Sequence, residues 1–242
     1  MKNNISIIVL AAGKGTRMKS DLPKVLHKIK NKSMIEHVIL NAKNLNPNQI
    51  VVVVGYKNEM VEKHLENENL TFAIQKEQNG TAHAVMQCHD SLKNFEGQTL
   101  ILSGDVPLIK SITLKQLYEK HLKNGAQATV LSAKVQNPFG YGRIIRDSKN
   151  EFKAIVEEKD TTDIQKKLNE INGGIYIFDN QILFENINKV KNDNNQSEYY
   201  LPDILEIFIK QNHKVLVHQI DDQNEIKGAN TEEQLSDLEK YA

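Results

Sequence analysis

Ile5 to Leu10 is a short, uncharged run rich in β-branched residues. It leads straight into Ala11-Ala12-Gly13-Lys14-Gly15-Thr16-Arg17-Met18, with Pro23-Lys24 close behind. A run of that length and composition reads as a buried strand of the kind found inside a parallel sheet. Two small residues and two glycines then let the chain turn tightly and bring its backbone close to a ligand. N–H groups exposed in such a turn form an anion-binding concavity, and Lys14, Arg17 and Lys24 place positive charge around it. The glycines by themselves fit an ordinary strand–loop turn. The three cations, and Pro23 fixing φ just ahead of Lys24, turn the reading towards polyphosphate.

Two familiar phosphate loops do not fit. The dinucleotide fingerprint needs a third glycine where Met18 stands, and an acidic residue closing the second strand. The Walker pattern needs Gly-Lys-Ser/Thr after four spacers, which Gly13-Lys14-Gly15-Thr16 does not supply.

Strand-like and helix-like runs alternate through the first half. Ser33-Met34-Ile35-Glu36 is a capping box, and the helix it opens carries Ile35, Val38, Ile39 and Ala42 on one face. Strands are expected at Ile50–Val54, Leu70–Ile74 and Thr99–Leu102. Helices are expected from Asn58 to about Glu66, from a Thr81 cap to about Leu92, and from Thr113 to Asn124 with Gly125 as the stop. This β-α-β-α rhythm predicts a Rossmann-like α/β fold, a mostly parallel sheet flanked by helices. From Gln127 the rhythm changes, with short strands at Thr129–Val135, Arg143–Arg146, Phe152–Val156 and Ile175–Phe178. An amphipathic helix over Tyr199–Gln211, a half-buried strand over Lys214–Ile220 and a capping box at Thr231-Glu232-Glu233-Gln234 complete the reading, with Lys191–Ser197 as a mobile loop. The expected organisation is one domain. Its nucleotide half covers about 1–125, a smaller sugar-side β extension about 126–230, and a C-terminal helix 231–242.

The 242 residues carry 31 Lys and Arg against 31 Asp and Glu, so no overall field recruits nucleic acid or an anionic membrane. The single cysteine, Cys88, cannot form an internal disulfide and reads as buried. With no apolar run long enough to cross a bilayer, this points to a cytoplasmic protein. Ligands of a parallel sheet bind beyond the strands' carboxyl ends. There stand the Gly13 loop, the Gln75–Thr81 loop and Ser103-Gly104-Asp105. Asp105 is either a turn residue or a ligand for Mg²⁺ beside a polyphosphate, and Gln75 is either a base reader or a solvated loop residue. The eight histidines have no metal spacing, and no serine sits in a nucleophile elbow.

These residues also carry a resemblance. Leu-Ala-Ala-Gly-Lys-Gly-Thr-Arg-Met with Pro23-Lys24-Val25-Leu26 is similar to the signature of sugar-1-phosphate nucleotidyltransferases. Further stretches narrow it: Gln75 with Gly80-Thr81-Ala82-His83-Ala84, Gly104-Asp105-Val106-Pro107-Leu108, Gly140-Tyr141-Gly142-Arg143-Ile144, Ile155-Val156-Glu157-Glu158-Lys159-Asp160, Glu170-Ile171-Asn172, Glu198-Tyr199-Tyr200 and Gly228-Ala229-Asn230. In this order they resemble the N-terminal pyrophosphorylase domain of the bifunctional N-acetylglucosamine-1-phosphate uridyltransferase/glucosamine-1-phosphate acetyltransferase family.

The resemblance implies transfer of UMP from UTP to N-acetylglucosamine 1-phosphate, giving pyrophosphate and UDP-N-acetylglucosamine for cell-envelope synthesis. It implies catalytic roles for Arg17 and Lys24 on the phosphates. Leu10, Ala11, Ala12, Gly13, Lys24, Gln75, Gly80 and Thr81 would hold the nucleotide. Ser103, Gly142, Glu157, Asn172 and Asn230 would line the sugar site, and Asp105 and Asn230 would bind Mg²⁺. Without it, Glu157 is one charge in an acidic run and Asn230 a residue ahead of a helix cap. Two positions depart from the family. Ser103 replaces a usual tyrosine and so removes an aromatic wall, and Gly173 replaces a usual small hydroxyl residue. Both leave sugar selectivity open. The family's acetyltransferase half is a hexapeptide-repeat β-helix, and no such period occurs before Ala242. Trimerisation in the family resides largely in that half, so a homo-oligomer is possible and the sequence leaves the state open. Rival readings are a nucleotidyltransferase for another base or sugar, and a non-catalytic nucleotide-sugar-binding regulator.

Overall fold

The computed structural model describes residues 4–242. In chain order the elements are β1 (Ile5–Ala11), β2 (Lys28–Ile29), β3 (Lys32–Ser33), α1 (Met34–Lys43), β4 (Ile50–Val54), α2 (Asn58–His64), β5 (Thr71–Ile74), α3 (Thr81–Met86), α4 (His89–Leu92), β6 (Gln98–Ser103) and α5 (Ser111–Lys123). Then follow β7 (Ala128–Lys134), β8 (Arg143–Arg146), β9 (Phe152–Val156), β10 (Glu170–Asp179), α6 (Asn180–Asn186), α7 (Asp203–Lys210), β11 (Val215–Ile220) and α8 (Glu232–Glu239). Strands from both halves share one sheet, ordered β11-β7-β10-β6-β1-β4-β5. Every neighbouring pair along it is parallel except those of β10, which runs antiparallel to both β6 and β7. The β8–β9 hairpin hangs from the start of β10, where Ile171 pairs with Arg143.

The uninterrupted apolar strands are explained by helices on both faces. In β1, Ile5, Ile7 and Val9 point into a core with α1 and α5, while Ile8 points into the opposite core with α3, α6 and α7. Each such fully buried aliphatic side chain contributes about 1.5–3 kcal/mol. The Ser33 capping box forms in full: Ser33 Oγ accepts from Glu36 N, and Glu36 returns a carboxylate to Ser33 N at 2.6 Å. Gly125 ends α5 at φ +56°, a conformation glycine adopts without strain.

Four expectations are corrected. The helix after Gly80 is broken into α3 and α4 around Gln87-Cys88, and Thr81 does not cap it. Its Oγ1 instead accepts from Leu201 N at 2.9 Å. The second capping box is half-made. Thr231 Oγ1 accepts from Gln234 N, but Gln234 Oε1 accepts a hydrogen bond from Asn230 N at 2.7 Å, one residue early. The Lys191–Ser197 loop is irregular and tied down: Asn194 bonds the backbone of Gln196 and Glu198, and Asn195 bonds Lys159 and Asp160. The strand at Ile175–Phe178 is part of the longer β10, interrupted by a register shift between Asn172 and Tyr176. The β2–β3 hairpin and α6 carry no strong sequence signal; α6 follows β10 directly, capped by Asp179. Among the described residues no helix is long and apolar enough to cross a membrane.

Candidate active site

Because β1 and β6 are neighbours in parallel, their carboxyl ends bring the Gly13 loop and Ser103-Gly104-Asp105 to one edge of the sheet. Gly104 N donates to Leu10 O at 2.9 Å, and a Cβ on Gly104 would lie 2.9 Å from that same oxygen. Gly15 is left-handed at φ +61°, and a Cβ there would fall 2.5 Å from Cβ of Lys24. Glycine at 15 therefore lets the lysine stem lie against the loop. The ammonium of Lys24 pairs with Asp105 Oδ2 and donates to Asn230 Oδ1 at 2.5 Å, while Arg17 Nη2 reaches the same amide oxygen at 2.9 Å. Lys24 is only 12% exposed, so its charge acts in a partly desolvated place.

Two pockets open from this junction. The first, about 400 Å³, is lined by Leu10, Ala11, Ala12, Gly13, Lys24, Gln75, Gly80 and Thr81. The second, about 310 Å³, is lined by Gly142, Glu157 and Asn172. Arg17, Ser103, Asp105 and Asn230 line both. Of the three cations expected around the Gly13 loop, Arg17 and Lys24 are at the pockets, whereas Lys14 is exposed and lines neither.

Gln75 is a buried residue, which removes the solvated-loop alternative. Its Nε2 is engaged by Gly80 O and His83 Nδ1, both at 3.1 Å, which leaves the amide oxygen as the group it can present to the cleft. Gly80, at φ +106°, lies against the backbone of Tyr199, where a Cβ would come within 2.5 Å of the carbonyl oxygen. The Gln75–Thr81 loop is thereby strapped to the chain around residue 199.

In the second pocket the β10 irregularity sets the geometry. Asn172 N donates to Gly142 O at 2.8 Å. The Asn172 side chain donates to Tyr176 Oη at 2.7 Å and accepts from Gly174 N at 3.0 Å. Gly174 is left-handed, at φ +68°. A Cβ on Gly173 would lie 2.9 Å from Leu131 O, so this backbone has no room for the larger residue the family favours. Burial pushes the Glu157 carboxyl up to about 7, helped by Asp203 and Asp160 and opposed by Asn172 and Arg143. Asp203, at the start of α7, is itself pushed up to about 6 by burial and by Glu206, Asp160 and Asp193.

Several lining residues had no role assigned from sequence: Glu198 and Gln78 in the first pocket, Phe139, Tyr141 and Gln234 in the second. Tyr141 and Glu198 lie inside motifs already noted. In the sequence Gln234 is only part of the Thr231 capping box, and Phe139 has no local signature, because only the β7–β8 loop carries it there. Cys88 is fully buried and burial pushes its thiol up to about 12, so it is not a nucleophile.

A divalent cation can be tested against this chemistry. Asp105 Oδ2 and Asn230 Oδ1 converge closely enough to share one small cationic group, the Lys24 ammonium, and both are hard oxygen donors. Among the described residues no three His, Cys, Asp or Glu side chains cluster as a metal cage. Two protein oxygens, with substrate phosphates and water to complete the shell, fit a Mg²⁺-type ion.

Over 233 residues the chain is 52% identical to the bifunctional protein GlmU of Staphylococcus haemolyticus and 47% identical to that of Streptococcus mutans, covering 96% of this chain in each case. Those matches take in 51% and 50% of the relatives, so the chain spans about half the length of the curated proteins it matches. A crystal structure of UDP-glucose pyrophosphorylase complexed with UDP-glucose shares the fold with a TM-score of 0.77, across 99% of this chain and 98% of that one, at 21% identity. Residues 6–224 match the nucleotidyl transferase family, so the chain belongs to that family.

Proposed function

We propose that this chain transfers UMP from UTP to N-acetylglucosamine 1-phosphate, forming UDP-N-acetylglucosamine and releasing pyrophosphate. The observation that carries the reading is the meeting of Lys24, Asp105, Asn230 and Arg17 where the two pockets join. In this reading the first pocket takes UTP and the second the sugar. An oxygen of the sugar phosphate attacks the α-phosphorus, and the bond from that phosphorus to the β-phosphate's bridging oxygen breaks in line. The nucleophile is already an anion at neutral pH, so no general base is needed. The difficulty is bringing like charges together, and catalysis is positioning plus neutralisation.

Lys24 and Arg17 would offset charge on the α-phosphate and the departing pyrophosphate. Gln75 would accept from the uracil N3–H through its free oxygen, with the Gly80 backbone beside it. Glu157 would accept from a sugar hydroxyl, and Asn172 would hold the strand that shapes that pocket. Asp105 and Asn230 would hold Mg²⁺, which when bound supplies a positive charge shared between the reacting phosphates. The reaction suits the cytoplasm, where UTP is available.

Pyrophosphate release with UTP and Mg²⁺ tests this directly, run with N-acetylglucosamine 1-phosphate and with glucose 1-phosphate. Turnover with N-acetylglucosamine 1-phosphate preferred is the expected result. Preference for glucose 1-phosphate would move the reading to another sugar, which the small Ser103 side chain at the shared rim leaves room for. Turnover only with another nucleotide would reassign the base. Absence of turnover with any pair would leave a binding protein.

A further inference from the structure

Phe139 is 76% exposed, yet it lines the second pocket. It differs from its neighbour Tyr141, whose ring packs on the core beneath. It differs also from Ile164, equally exposed at 80% but outside both pockets. Its loop is closed by two bonds of its own and tied by a third to the segment after β9. Phe139 N donates to Asn137 Oδ1 at 3.1 Å, Tyr141 N to Pro138 O at 3.2 Å, and Gly140 N to Glu158 Oε2 at 3.1 Å. The last bond fastens it to the residue next to Glu157, and Gly140 at φ +86° makes the turn that sets the ring at the rim. Among the described residues this large apolar side chain at the mouth of a polar pocket has no ring partner, and Ser103 brings no ring to the same pocket.

A pyranose presents hydroxyls at its edge and C–H groups on its faces. Glu157 matches the edge, and an aromatic ring matches the face. We propose that Phe139 is the aromatic wall of the sugar subsite, covering the apolar face of the hexose and its N-acetyl methyl. It is therefore a specificity-determining residue. The inference rests on the second pocket taking the sugar 1-phosphate, as proposed above. Covering part of an exposed ring with ligand corresponds to about five- to tenfold in affinity.

The test compares the unsubstituted enzyme with Phe139→Ala and Phe139→Tyr in steady-state kinetics. The alanine variant should raise KM for N-acetylglucosamine 1-phosphate about five- to tenfold. KM for UTP and kcat should stay within about twofold, and the tyrosine variant should restore the sugar KM. An unchanged sugar KM in Phe139→Ala, or an equal rise in the UTP KM, overturns the proposal. If the unsubstituted enzyme shows no turnover, the transfer reading fails. The wall is then judged by isothermal titration of N-acetylglucosamine 1-phosphate onto both proteins, where equal Kd values overturn it and weaker binding by the alanine variant sustains it.

Discussion

The two halves of the site are built from opposite materials. The proposed nucleotide side stands on the ends of parallel strands β1 and β6, uses backbone and small residues, and concentrates positive charge at Arg17 and Lys24. The proposed sugar side stands on β10, which runs against its neighbours β6 and β7, at an irregularity in that strand, and gathers carboxyl groups at Glu157, Asp160 and Asp203. Their carboxylates differ in the same way. On the nucleotide half Glu36 is partly buried, which acts to raise it. Bonds from Ser33 and the nearby His64 outweigh that and hold it at about 2. On the sugar half Glu157 is pushed the other way, to about 7. A scaffold carboxylate is thus satisfied by the fold, whereas the sugar-side carboxylate is left wanting a proton or a donor. Such unrelieved groups mark ligand sites.

The comparison breaks most easily at its cationic side. Replacing Lys24 by alanine should cut turnover by about 10²–10³ while the circular dichroism spectrum stays unchanged, as for loss of one preorganised charge-stabilising group. Full turnover in pyrophosphate release would remove the lysine from catalysis. Next, Asp105→Asn should shift the Mg²⁺ activation curve to roughly tenfold higher concentration, because an amide is a weaker ligand than a carboxylate. An unaltered metal titration would show that Asp105 only anchors Lys24. Gln75→Ala should raise KM for UTP about tenfold, the worth of one well-placed hydrogen bond to a base, and leave the sugar KM alone.

The acidic side is sharpened by pH. The folded protein holds the Glu157 proton up to about pH 7, whereas an unfolded chain releases it near the ordinary glutamate value of 4.5. Between those values the native state binds more protons, so this group makes stability fall as pH rises. Glu157→Gln should therefore raise the melting temperature at pH 8 and leave it unchanged below about pH 4. Glu36 has the reverse sign: its contribution is present above pH 4.5 and is lost as pH falls towards 2. Melting curves of Glu157→Gln parallel to those of the unsubstituted protein at every pH would refute the first assignment. The smallest effect is expected at Ser33→Ala, about 1 kcal/mol of stability from the lost cap, with activity unchanged.

What could be read in advance follows this division. The Gly13 loop, the parallel strands and the Ser33 cap announce themselves because each is a local pattern: glycine and small residues at a strand end, uninterrupted β-branched runs, Ser and Glu three apart. Thr81 misled because its hydroxyl has a long-range partner in Leu201 N. Gln234 misled because its amide reached Asn230 N rather than closing its own box. Glu157 and Asn230 have no local signature and became visible only through a family resemblance.

By itself, then, the sequence determined the alternation of strand and helix and the glycine-bearing turn after β1 with Arg17 and Lys24 close behind it, since these depend on neighbours within a few residues. Tertiary structure alone decided that β10 runs against its neighbours, that its irregularity holds Asn172 beside Gly142 and Glu157, and that Asn230 meets Lys24 across more than two hundred residues. The reason is physical. Turn and cap preferences are set by the backbone of a single segment. The charge on a carboxyl and the convergence of two oxygens on one cation are set by whatever distant chain the fold packs against them.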